Sequence, residues 1–256
     1  MTDVELDLIT DPDQLLMIES GIRGGLSYAS RRYAKANHPS LPNYRPEEPL
    51  SYLCYLDANL VYATCHTYNL PLGDFRFLSQ AEIDSFDVNA IDDSPVGYVL
   101  EVDLDYPEHL HDDHTAYLLC PEHLTVDADM ISLTLEQMYD YVGVTHVPCK
   151  KLISNVRDKR FYVTHYLCLK FYLSQGLKLV RVHRIFSFAQ RPFMRPFVDY
   201  CNRQRQNAKT DFESGLYKLL PISFFGKSCE NMRKRVNARL VTDPKKTRQS
   251  SGEIDV

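Results

Sequence analysis

A short apolar run that ends in a single aspartate places the strongest constraint on this fold. Residues 52–56 read Tyr-Leu-Cys-Tyr-Leu, and Asp57 follows them directly. A run of this length and composition predicts a buried strand. The acid at its tip is well placed to hold a divalent cation, since hard cations prefer carboxylate and carbonyl oxygens. The alternative is a strand that ends in an Asx turn or a helix N-cap, where Asp is also common.

The charges are distributed unevenly along the 256 residues. Residues 71–140 contain seventeen acids and one base, whereas residues 181–248 contain sixteen Lys or Arg and five acids. This asymmetry predicts that the C-terminal part presents a face for a polyanion. The alternative is two solvated faces of opposite charge.

The seven cysteines are scattered, odd in number and contain no Cys-x-x-Cys pair. This usage predicts reduced thiols in a nuclear or cytoplasmic protein, not a secreted one. No apolar run approaches the ~20 residues that a membrane-spanning helix needs, so we expect no membrane partner.

The remaining pattern predicts a mixed α+β fold. Residues 11–20 have helical spacing, and the helix should stop at Gly21. Residues 96–104 are expected to form a strand. Residues 149–190 predict a strand, a helix near 164–175 that ends at Gly176, and a strand over 178–188, which make a β-α-β unit. From Arg195 onward, the spacing predicts two basic helices in an antiparallel pair.

Three further segments leave alternatives open. Arg23, Gly24 and Gly25 suit a contact with a phosphate backbone, because glycines allow close approach and the flank is basic, but a simple turn fits as well. Residues 37–50 contain four prolines and predict an extended connector. The histidines of residues 108–123 could form a metal-binding module, although their spacing fits no standard zinc pattern.

Three blocks, taken in order, resemble a family B DNA polymerase of the protein-primed type that Polinton or Maverick transposons carry. Residues 22–25 resemble the Tyr-x-Gly-Gly segment of that family. Residues 57–62, Asp-Ala-Asn-Leu-Val-Tyr, resemble polymerase motif A. Residues 218–227, which begin with Lys218 and include Ser223, Phe225 and Gly226, resemble motif B. The resemblance covers roughly residues 18–242.

The resemblance implies a role for each matching residue. Asp57 would be catalytic and would hold Mg²⁺ together with the carbonyl of Ala58, in a two-metal nucleotidyl transfer. Tyr62 and Lys218 would bind the incoming nucleotide, with Lys209 and Arg205 as further candidates. The residues implied to contact primer-template DNA are Arg23, Gly24, Gly25, Ser223 and Gly226. A priming protein is a further implied partner.

The resemblance also has departures. The chain contains no Asp-Thr-Asp block to supply the second catalytic carboxylate, and Asp243 and Asp255 lie in a polar tail. Ile222 replaces the asparagine of motif B, and Pro221 falls where a helix is expected. These departures predict a truncated and inactive fragment. The alternative is a non-catalytic DNA-binding or interaction protein derived from such a gene.

The expected fold is therefore an α+β palm and fingers fragment, with a small antiparallel sheet that includes the strand to Asp57, an α/β insertion and a C-terminal helix pair. The predicted division is a helix and Gly-Gly linker over 1–50, the motif A region over 51–75, an insertion over 76–190, fingers helices over 191–242 and a disordered tail over 243–256.

Overall fold

The computed structural model of the chain describes residues 4–31, 33–91, 94–231 and 234–236. The chain divides into two compact units. The larger unit comprises Met1–Ala58 and Tyr68–Phe193, and the smaller unit comprises Asn59–Thr67 and Met194–Val256. The boundary between Ala58 and Asn59 cuts through the block that resembles motif A. The predicted tail over 243–256 lies outside the described residues.

The chain combines helices with antiparallel strands, which confirms the α+β class. In chain order the elements are α1 (Pro12–Gly21), α2 (Val61–Cys65), β1 (Leu70–Phe77), α3 (Gln80–Asp84), β2 (Val96–Asp105), β3 (Glu122–Val126), α4 (Leu133–Val142), β4 (Cys149–Ile153), β5 (Lys159–His165), α5 (Tyr166–Ser174), β6 (Lys178–Arg191), α6 (Arg195–Gln206) and α7 (Asp211–Ser228).

A four-stranded antiparallel sheet in the order β1-β6-β2-β5 forms the centre of the larger unit. β5 and β6 both pair antiparallel with β2, so they run parallel to each other on its two sides. α5 joins them and completes the predicted β-α-β unit. Gly176 has a φ of +99°, which glycine adopts without steric cost, and it lies between the end of α5 and the start of β6.

The sheet is covered on both faces. Leu100, Val102 and Leu104 of β2 are fully buried in one core, together with Leu169 of α5. On the other face, Met17 of α1 packs in a second cluster that includes Val163, Phe186 and Phe188. This burial follows from the strand periodicity, since alternate side chains of a strand point to opposite faces.

β3 and β4 pair in a separate two-stranded sheet, and α4 lies in the connection between them. No residue of α4 is buried, although the helix carries Leu133, Met138 and Tyr141. The sequence patterns predicted neither β3 nor α4, and neither element contains a buried residue.

The predicted strand over 52–57 is wrong. These residues have no regular secondary structure, and the side chains of Tyr55 and Leu56 are 94% and 84% exposed. A strand needs a neighbour for its backbone groups, and beside this run the described residues offer only an isolated bridge between Asn37 and Ser51. The sheet is therefore built without this segment.

Residues 37–51 form a closed loop that is organised by one side chain. Asn37 is 7% exposed, and its Nδ2 donates to the carbonyl oxygens of Arg45 and Glu48 at 2.9 and 3.1 Å. Its Oδ1 accepts a hydrogen bond from the amide of Arg45 at 2.9 Å. These bonds turn the predicted connector into a compact loop instead of an extended one.

The smaller unit contains α2, α6 and α7. Residues 207–210 connect α6 to α7, and the two helices pack together with the rings of Tyr200 and Tyr217 6.3 Å apart. Val198 and Cys201 are the buried residues of α6. Pro221 is buried inside α7, where it removes one helical backbone donor. The helical prediction from Arg195 is confirmed.

Candidate functional site

Asp57 and Ala58 lie in the larger unit, in the irregular segment that precedes α2. Both residues are exposed. Among the described residues, no three His, Cys, Asp or Glu side chains lie close enough together to hold a metal ion. One exposed carboxylate does not fit a pair of Mg²⁺ ions, because the bridging geometry needs oxygens from more than one side chain.

Tyr62 of α2 stacks on Phe225 of α7 inside the smaller unit. Their ring centroids are 4.1 Å apart, and the interplanar angle is 15°. Tyr62 belongs to the block that resembles motif A, and Phe225 belongs to the block that resembles motif B. Two segments far apart in the sequence therefore meet through one aromatic pair, which leaves the Tyr62 side chain 53% exposed.

His66 lies beside this pair, and sequence reasoning did not identify it. The residue is 8% exposed, and its ring packs edge-on against Phe224 with centroids 5.0 Å apart. Burial lowers the pKa of His66. Its Nδ1 atom has no hydrogen-bond partner among the described residues. Leu60, Val61 and Cys65 have helical spacing in the sequence, but this pattern does not single out His66.

Lys218, Lys209 and Arg205 supply positive charge in the smaller unit. Lys218 is on α7, Arg205 is in the last turn of α6, and Lys209 is in the connection between these helices. Among the described residues, none of the three side chains forms an ion pair with an acid. Lys218 precedes Phe225 by seven residues, or two helical turns, so the two project from a similar side of α7.

Ser223 and Gly226 are exposed on the second half of α7. The Ser223 hydroxyl donates to the carbonyl of Leu219 at 2.9 Å, a common bond for serine within a helix. No atom lies within 4 Å of the position that a Cβ would occupy at Gly226. Nothing inside the described chain therefore requires a glycine at this position.

Arg23 is committed to contacts within the larger unit. Its guanidinium carbon lies 3.9 Å from the centre of the Tyr162 ring, and its Nη1 donates to the Val163 carbonyl at 2.7 Å. Gly24 and Gly25 are exposed, with open space around their Cβ positions. These two glycines remain accessible to a ligand, whereas the Arg23 side chain is already engaged.

The histidines of residues 108–123 make contacts within the chain. His114 Nδ1 lies 2.7 Å from the hydroxyl of Tyr106, and His111 Nε2 lies 3.1 Å from the Tyr106 carbonyl oxygen. His109 and His123 are exposed. One ring nitrogen of His111 and one of His114 thus have Tyr106 as their partner.

The seven cysteines are free thiols. In the part of the chain that the structure describes, no helix is both long and apolar enough to cross a bilayer. The chain matches no protein-family model, no curated protein and no solved structure.

Proposed function

We propose that this chain is a segment of a protein-primed family B DNA polymerase, and that its smaller unit binds the incoming nucleotide and primer-template DNA. The observation that carries the proposal is the stack of Tyr62 on Phe225. In a polymerase, motif A and motif B must meet at the nucleotide, and the two residues that meet here come from the corresponding blocks. The more than half-exposed ring of Tyr62 is available to a sugar or a base.

The charge of the smaller unit supports the same proposal. Lys218, Lys209 and Arg205 are free of ion pairs with described acids, so their charges are available to phosphate. A Lys or Arg contact with phosphate is charge-assisted and stronger than a neutral hydrogen bond. In this proposal, Lys218 contacts the triphosphate, while Lys209 and Arg205 contact the triphosphate or the DNA backbone.

The resemblance implies Mg²⁺, but the residues described do not fit two such ions. Asp57 is exposed and belongs to no group of three or more potential metal ligands among the described residues, and Asp243 and Asp255 lie outside those residues. The proposed function therefore includes no metal-dependent step at Asp57. In the proposal this chain binds nucleotide and DNA, and incorporation requires further carboxylates.

A second candidate is a non-catalytic DNA-binding or interaction protein derived from a transposon polymerase. Asp57 is exposed and outside any group of three or more potential metal ligands in the described part of the chain, which favours this second candidate. The two candidates differ in one property. A polymerase segment binds a nucleotide through Tyr62 and Lys218, whereas a protein that holds only DNA has no need of these nucleotide contacts.

Titration with a fluorescent deoxynucleoside triphosphate tests this function. We expect saturable binding to the full chain and at least about tenfold weaker binding for Lys218→Ala, because a charge-assisted contact contributes roughly 1.5–3 kcal/mol. Lys178→Ala is the matched control, since Lys178 is an exposed lysine of the larger unit. Equal affinities for Lys218→Ala and Lys178→Ala would contradict the proposal, and DNA binding without nucleotide binding would favour the second candidate.

A further inference from the structure

α5 is apolar on both sides, although only one side packs on the sheet. Its sequence, YLCLKFYLS, has one charged residue in nine positions. Tyr166 and Leu169 face the core and are buried. On the other side, Leu167 and Phe171 are 53% and 48% exposed. A helix that is apolar all round is normally covered on all sides, so the outer side of α5 is a surface suited to a ligand.

Residues 23–28 have no regular secondary structure, but side chains tie both ends of this segment to the larger unit. At one end, Arg23 donates to the Val163 carbonyl and lies over the ring of Tyr162. At the other end, the Tyr28 hydroxyl donates to the Ala116 carbonyl at 3.3 Å and accepts from the Leu118 amide at 3.2 Å. We call residues 23–28 the strap. Its two anchors hold it in place without a helix or a strand.

The strap, residues 117–121 and the outer side of α5 enclose a cleft of about 460 Å³. This volume is in the range of small-molecule sites. Four of the side chains that line it are aromatic, and leucines complete most of the wall. The main lining residues are Leu26, Tyr28, Tyr117, Leu167, Phe171 and Tyr172.

The lining is uncharged at neutral pH. It contains no Lys, Arg, His, Asp or Glu among the described residues. Burial raises the pKa of the Cys120 thiol and of the Tyr172 hydroxyl to about 12. A charged ligand would lose its hydration in such a site without a charged lining side chain as its partner.

We propose that this cleft is a binding site for an uncharged, planar aromatic molecule. The aromatic walls favour a flat ring system, because stacked and edge-to-face ring pairs are stabilising beyond the apolar area that they bury. The two anchored ends of the strap make the cleft largely preformed, so little ordering is needed on binding. The site lies wholly in the larger unit and does not depend on the proposed polymerase function.

The experiment is a fluorescence titration of the full chain with N-phenyl-1-naphthylamine, which is uncharged and aromatic. We expect one dye per chain, and at least tenfold weaker binding for Leu167→Glu, which introduces a carboxylate at the cleft. Leu133→Glu is the matched control, because Leu133 is 77% exposed on α4, away from the cleft lining. Unchanged affinity in Leu167→Glu, or an equal loss in Leu133→Glu, would overturn the proposal.

A second measurement needs no variant, so it holds even if Leu167→Glu does not fold. Cys168 lines the cleft and is exposed. Saturating dye should slow the alkylation of this thiol at least tenfold, and peptide mass spectrometry measures the rate. Alkylation of the exposed Cys54 should not change. Equal protection of both thiols, or none at Cys168, would contradict the site. Displacement of the dye by an equal concentration of 1-dodecanol, which is apolar but not aromatic, would overturn the ligand class.

Discussion

The ring of Tyr62 lies stacked on the ring of Phe225, with centroids 4.1 Å apart and planes within 15° of parallel. This pair joins α2 to α7 in the smaller unit and brings together the two blocks that resemble polymerase motifs A and B. The buried imidazole of His66 packs against the same stretch of α7. The arrangement around this pair can be tested by stability, pH dependence and binding.

The stack should contribute measurable coupling energy to folding. We expect a double-mutant cycle of Tyr62→Ala and Phe225→Ala to give about 1 kcal/mol of interaction in the free energy of unfolding, as is typical of aromatic pairs. Urea denaturation of the four proteins provides this number. Tyr141→Ala, at a side chain that is 92% exposed, should have almost no effect. An interaction energy of zero in this cycle would show that the two rings do not interact in solution.

His165 should make the protein less stable in mild acid. Burial lowers its pKa from 6.5 to about 4, and its Nδ1 accepts the Leu167 amide at the start of α5. Below pH 6.5 the unfolded chain therefore binds more protons than the folded chain. The free energy of unfolding should fall by up to roughly 3 kcal/mol between about pH 6.5 and 4.

Urea denaturation at pH 7.5, 5.5 and 4.5 measures this loss. His165→Asn should remove much of the pH dependence, because asparagine can cap a helix without titrating, and His66, whose pKa burial also lowers, accounts for the remainder. His109→Asn, at an exposed position, is the control and should keep the dependence. Identical pH profiles for the native chain and His165→Asn would rule out this role for His165.

A buried ion pair links β3 to β5 and should be costly to break from one side. The Lys159 side chain is 1% exposed, and its Nζ lies 2.8 Å from Glu122 Oε1. Glu122→Leu would leave the lysine charge buried without its acid, which typically costs about 3–5 kcal/mol. Adding Lys159→Met to that variant should recover most of the loss in thermal or urea denaturation. No recovery in the double variant would argue against the pair.

The chain alone should not extend a primer. Asp57 is exposed and belongs to no described metal cluster, so Mg²⁺ and deoxynucleotides are expected to give no incorporation into primer-template DNA. Asp57→Ala should leave DNA binding unchanged. Extension by the native chain that is lost in Asp57→Ala would mean that a complete two-metal site exists.

The elements predicted well are those whose signals are local. Apolar and polar residues partly alternate along the strand Val96–Asp105. The helix Tyr166–Ser174 is followed closely by Gly176, which has a positive φ. The run over residues 52–57 has the composition of a buried strand, but no neighbouring strand pairs with it among the described residues. Composition could not reveal this, because a strand depends on its partner as much as on its own residues.

The candidate site was predictable only in part, for the same reason. The resemblance implied nucleotide-binding roles for Tyr62 and Lys218, but the sequence could not place Tyr62 against Phe225. It assigned Arg23 to DNA, whereas the fold provides a ring and a carbonyl for its guanidinium. Contacts between residues distant in sequence determine the positions of both Tyr62 and Arg23, and no local pattern encodes such contacts.

The most direct test of the central claim is fluorescence-anisotropy binding to primer-template DNA across a salt series. The account predicts that the logarithm of the affinity falls linearly with the logarithm of the salt concentration. The double variant Lys209→Ala, Lys218→Ala should bind more weakly, and the magnitude of this slope should be smaller by about 1–2. The control Lys178→Ala should follow the native chain. No DNA binding by the native chain, or a native slope in the double variant, would contradict the claim that the smaller unit binds nucleic acid.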